Sequence, residues 1–144
     1  MLRALPGYSH LKILTPTVAH PTRAMTTQVA PDASLRGLIQ VALDAAFGMR
    51  PETSLRRPLF DTQVRVHVAA HLKRSALRGP VTVQRIDVHP APTRPPHDPL
   101  EVTIVAATEF IGSYTVAGTT KAFAGRGELP EGKRQWVLRS LRLM

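Results

Sequence analysis

The order of hydrophobic patterns constrains this chain most. Two amphipathic helices come first, and strands follow to the end. Leu35, Leu38, Ile39, Ala42, Leu43, Ala46 and Phe47 recur at i, i+3, i+4 spacing, the stripe of a helix with one buried face. Phe60, Val64, Val68 and Leu72 repeat every fourth residue and give a second, narrower stripe. From Val81 onward apolar and polar residues alternate, the period of a sheet with one covered face. Consecutive strands on short turns pair antiparallel, and helices set before such a sheet cover one of its faces. The fold class this predicts is α+β: two N-terminal helices packed on a curved, mostly antiparallel four-stranded sheet, cone-shaped, with one face left as a groove or partner surface.

Local signals set the expected boundaries. Asp32 or Ser34 is the N-cap of the first helix, with Arg36, Gln40 and Asp44 opposite its apolar face, and Gly48 offers the positive φ that ends it. Pro51 biases Arg50 away from helix, so the chain turns at Gly48-Met49-Arg50-Pro51. The second helix starts between Pro58 and Asp61 and stops before Gly79-Pro80. The first strand, Val81–His89, shifts phase from Val81 and Val83 to Ile86 and Val88, which predicts a bulge. Pro90–Pro99 is an extended loop, and Leu100–Thr108 and Ile111–Phe123 read as the second and third strands. Gly125–Gly132 reads as a polar turn and Gln135–Leu143 as the last strand, shifting phase at Leu141 and Leu143. Trp136 is expected buried against Leu38 and Phe47.

A chain of 144 residues supports one core, placed at 32–144. Residues 1–31 contain no Asp or Glu and are broken by Pro6, Pro16, Pro21 and Pro31, so a mobile basic tail is expected there. Its apolar cluster of Tyr8, Leu11, Ile13 and Leu14 is either a linear docking motif or a dispensable leader. The lack of cysteine excludes disulfides, thiolate metal sites and a cysteine nucleophile. No apolar run reaches the roughly 20 residues of a membrane helix, and no signal-peptide core precedes Ala30, so a cytoplasmic location is expected.

Catalytic patterns are thin. His67 and His71 share a helix face, but Val68 stands where a zincin needs Glu. Asp87 and His89 share one face of a strand, but Ile86 and Val88 hold the other, better candidate for the interior. Asp98, Glu101 and Glu109 either converge in a cone mouth or simply face water. Gly125-Arg126-Gly127 lacks the Lys-Ser/Thr of a phosphate cradle, and no serine sits in a nucleophile elbow. No enzyme, metal or cofactor is therefore predicted.

Charge is the strongest remaining signal. The net charge of +9 favours acidic partners, although codon bias toward Arg produces the same balance. Arg50, Arg56, Arg57, Arg65, Lys73, Arg74 and Arg78 crowd one stretch against Glu52 and Asp61, with Arg139 and Arg142 adding to the surface later. Only Phe60 in that stretch is aromatic, which weakens single-strand nucleic-acid recognition and leaves an acidic protein surface or a merely solvated face.

The Gly48-Met49-Arg50-Pro51 turn followed by Leu55 resembles a Gly-Arg-Arg-Pro-x-x-x-Leu signature. Gly132-Lys133-Arg134-Gln135-Trp136-Val137-Leu138-Arg139-Ser140-Leu141 resembles a Gly-x-Trp-x-x-x-x-Leu terminus. Both are similar to a small actinobacterial family of uncharacterised proteins encoded near the SecA translocation motor, and the last strand resembles the nuclear transport factor 2-like superfamily. The resemblance implies a cone-shaped α+β fold and a place near SecA-dependent export; Gly48, Pro51 and Trp136 are read from their own positions as structural residues. The expected function is a non-enzymatic protein-binding adaptor. The alternatives are a nucleic-acid- or ribosome-associated factor and a cone-fold small-ligand binder.

Overall fold

A computed structural model describes the backbone of residues 2–5 and 8–14 and the whole of residues 32–144. Strands β1 (Leu2–Leu5) and β2 (Tyr8–Leu14) pair antiparallel as a hairpin for which the sequence signals no element. The rest of the expected tail, and the side chains of its apolar cluster, lie outside the described residues.

Helix α1 spans Ala33–Ala46 and is capped by Asp32, whose carboxylate accepts the Ser34 N–H at 2.8 Å. Gly48 takes φ of +80°, the expected helix-ending turn, and Pro51 opens a 3₁₀ turn over Glu52–Ser54. Helix α2 covers Thr62–Arg74, and the Asp61 side chain caps it by accepting from Gln63 N–H at 3.0 Å. Four strands follow: β3 (Val81–Ala91), β4 (Ile104–Val116), β5 (Thr119–Pro130) and β6 (Val137–Leu143). They form an open antiparallel meander in the order β3-β4-β5-β6.

Three expected boundaries are corrected. Leu100–Thr103 is not strand, and Leu100 is 91% exposed, since the proline-rich loop carries the chain outward until Ile104. The second and third expected strands are split elsewhere: β4 runs unbroken to Val116 and reverses at Ala117-Gly118. Both residues have positive φ, 48° and 76°, the geometry of a tight type I′ hairpin turn. The expected turn over Gly125–Gly132 is instead strand through Pro130, and only Glu131–Gly132 begins the turn.

Close packing puts the glycines inside β4 and β5. Phe110 on β4 faces Gly125 on β5, and Phe123 on β5 faces Gly112 on β4. A methyl group added at either glycine would come closer than 3.0 Å to the facing phenyl ring and to a backbone carbonyl, Ser140 O at Gly125 and Arg85 O at Gly112. The two rings therefore cover the glycines and approach each other at 6.0 Å. Tyr114 and Phe47 continue this aromatic run, which with Leu35, Ile39 and Leu43 fills the helix-covered side of the sheet. These side chains form the core between the helices and the sheet.

Both phase shifts in the sequence are bulges. The β3–β4 register slips between Val83 and Arg85, and the β5–β6 register slips at Arg139, between Leu138 and Ser140. Trp136 corrects its expectation in degree. It is half-buried immediately before β6, beside Leu38 and Gly127. Phe47 lies nine residues beyond Leu38, about 13 Å along α1, and packs on Tyr114 instead.

Two substitutions of opposite sign test this geometry. Gly125→Ala should cost about 3 kcal/mol or more, because backbone and ring must both move. Ala117→Asn should stabilise by about 0.5–1 kcal/mol, because Asn accepts the left-handed conformation that Ala resists. Urea midpoints at constant m read both.

Candidate functional site

The basic residues assigned from sequence do not form one patch. Arg78 caps α2: its guanidinium donates to the carbonyls of Leu72, Ser75 and Leu77. Its stem lies over Gly48, which leaves no room there for a Cβ without displacing the arginine. Arg50 pairs with Asp44 at 3.3 Å and lines a different cleft, beside α1. Arg57 donates to Thr62 Oγ1 at 2.6 Å. Arg56, Arg65 and Lys73 are exposed. Arg65 and Arg74 are nine residues apart, about half a turn of phase on a helix, so they flank opposite sides of α2. Arg78 is thus a structural residue, and of the seven only Arg74 reaches the groove between α2 and β6.

That groove has a volume of about 770 Å³. Val66 and Ala70 give it an aliphatic wall, and Arg74 and Arg142 supply positive charge. Val66 is 62% exposed. Asp61 stands at its border, but its carboxylate caps α2 and pairs with Arg139 at 3.2 Å. Arg139 also holds Glu128 at 2.8 Å, Glu128 holds Arg126 at 3.1 Å, and Arg126 reaches Glu109 at 3.7 Å. This chain of alternating charges runs across three strands to the N-terminus of α2. Arg126 also donates to Pro92 O at 2.8 Å and ties down the proline-rich loop. Beneath that loop lies a second cleft of about 740 Å³, whose Arg126, Glu128 and Arg139 are committed to one another.

The other sequence candidates separate. Asp87 faces away from the helices and binds Arg85 at 2.8 Å, while His89 is exposed. Asp98 accepts from Leu100 N–H and Glu101 from His97 N–H, so both carboxylates serve their own loop. They do not converge with Glu109, which is bound to Arg126. Among the described residues no three His, Asp or Glu side chains converge as a metal requires.

His67 and His71 have different fates. His67 Nε2 accepts the Leu143 N–H at 3.4 Å, at the rim of the α2–β6 groove. His71 turns inward against Phe47, ring centroids 5.1 Å apart, and its Nε2 is buried with no hydrogen-bond partner. Tyr114, which also contacts Phe47, has an Oη that is likewise buried and unpartnered. Burial lowers the His71 pKa below 6.5, with His67, Lys121, Arg74 and Arg78 repelling a second positive charge, and burial raises that of Tyr114.

Val66, Ala70 and Leu141 are groove residues that sequence reasoning missed. The exposed Val66 sits off the i+4 stripe of α2 and is the one signal that marked them. Compared with known proteins, the chain matches no family model, no curated protein and no solved structure.

The buried imidazole makes stability depend on pH. The folded chain takes up the His71 proton less readily than the unfolded chain. Stability is thus undiminished above about pH 6.5 and falls as pH drops below it, toward the lowered folded value. Urea titrations between pH 7.5 and 5 should show this loss, and His71→Gln should flatten it; an unchanged slope in the variant would place the titration elsewhere.

Proposed function

We propose that this chain is a non-enzymatic binding module that captures an acidic segment of a partner protein in the α2–β6 groove. The observation that carries this is the groove's charge balance. Among the described residues Arg74 and Arg142 face it with no acidic partner, and Asp61, the only acid lining it, is held by Arg139 and by the N-terminus of α2. Long-range attraction from the +9 net charge favours encounter with an acidic surface. The aliphatic wall of Val66 and Ala70 suits a peptide side chain, and the groove lining includes no Phe, Tyr or Trp among the described residues, which favours protein over single-stranded nucleic acid.

The resemblance to the actinobacterial family makes the SecA motor the first partner to try, in a cytoplasmic setting and on a nuclear transport factor 2-like scaffold. Among the described residues no helix is long and apolar enough to cross a membrane.

The test is affinity capture from native lysate, with and without nuclease, using wild type and the double variant Arg74→Glu/Arg142→Glu. A nuclease-resistant protein should be retained by wild type and by Arg56→Glu/Arg57→Glu, and lost from the groove variant. Equal capture by the groove variant contradicts the reading. Recovery of nucleic acid that disappears with nuclease would replace it with the nucleic-acid alternative, and purified SecA decides that partner separately.

A further inference from the structure

We infer that the groove holds its acidic segment in extended form, by adding it to the open edge of β6. This rests on the acidic-partner reading and goes further by naming the conformation recognised.

Strand β6 is the last in the sheet, and one of its edges is bonded to β5. The other edge begins occupied. Leu138 donates its N–H to Leu59 O at 2.8 Å and accepts from Asp61 N–H at 3.0 Å, so the segment at Phe60 lies beside β6 as a parallel bridge. At Asp61 this segment leaves the sheet, because that residue becomes the N-cap of α2. The chain thus begins a fifth strand and abandons it after a single bridge.

Ladder parity shows what is left open. Met144 N–H bonds to Ala122 O at 2.9 Å, which makes Ser140, Arg142 and Met144 the residues that bond to β5. Leu141 and Leu143 alternate with them and point their backbone N–H and C=O to the outer edge. His67 Nε2 covers the Leu143 N–H, at the long end of hydrogen-bond distances. The edge groups of Leu141 face the groove that α2 roofs.

A peptide laid there continues the line that Leu59–Asp61 began. Its backbone pairs with Leu141, an apolar side chain meets Val66 and Ala70, and its carboxylates meet Arg74 and Arg142. Strand addition of this kind draws affinity from main-chain bonds and specificity from alternate side chains. With one residue's edge groups on offer, the backbone bonds fix register and the two arginines supply the charge that steadies the complex.

The probe is a blocked octapeptide of alternating Val and Glu, compared with versions N-methylated on alternate residues in either phase. Binding is read by amide NMR shifts. The plain peptide should bind and shift the Leu141 amide more than those of Ser140 and Arg142. Methylation of the bonding phase should weaken it by about tenfold, and Arg74→Glu/Arg142→Glu at least as much. Equal binding by both methylated peptides, with the charge-reversed protein still impaired, overturns the edge inference and leaves the acidic-partner reading standing. No binding by the plain peptide, or equal binding to the charge-reversed protein, overturns both.

Discussion

The reciprocal contact of two phenylalanines with two glycines is the constraint on which the sheet depends. Phe110 over Gly125 and Phe123 over Gly112 use the missing Cβ atoms to bring two rings and two backbone carbonyls into space that any other residue would fill. With aromatic content of only 5%, the chain concentrates its rings here, and Tyr114 and Phe47 extend the same run to α1. The helices then have one surface on which to sit. Leu35 meets Gly127 near one end of α1, and Phe47 meets Tyr114 at the other. Cross-strand aromatic pairs stabilise a sheet by side-chain packing more than by backbone preference.

The bulge at Arg139 converts that scaffold into a surface. An extra residue in β6 reverses which side chains face the core, and it turns Arg139 toward both Glu128 and Asp61. Asp61 is therefore fixed twice, as the cap of α2 and as the end of the charge chain. Exposed ion pairs are individually weak, so the value of this chain lies in position. It sets the point at which Leu59–Asp61 leaves β6 and α2 begins, and that point determines how much of the β6 edge is left for a partner.

Much of the fold was legible because its signals are local. The i, i+3, i+4 stripe from Leu35 to Phe47, the cap at Asp32, the start of α2 close to Asp61, and the phase shifts in β3 and β6 each depend on neighbours in sequence. The hairpin at Ala117-Gly118 was not legible, since Ala is a poor signal for positive φ and the glycines at 125 and 127 look more like a turn. Their role depends on Phe110, Leu35 and Trp136, which are distant in sequence. The spatial dispersal of the basic residues was illegible for a similar reason. Charge density between Arg50 and Arg78 is a one-dimensional property, whereas Arg78 is drawn to the carbonyls ending α2 and Arg65 is turned half a revolution from Arg74. Arg142 joins Arg74 only through the packing of α2 on β6.

The central claim is that β6 carries an open edge at Leu141 between bonded neighbours. Native-state hydrogen exchange, read residue by residue, tests it most directly. The account predicts rapid exchange at Leu141, flanked by Ser140 and Arg142 amides protected many-fold more strongly by β5. Protection at Leu141 equal to that of its neighbours would mean that the edge is already closed, and would contradict it.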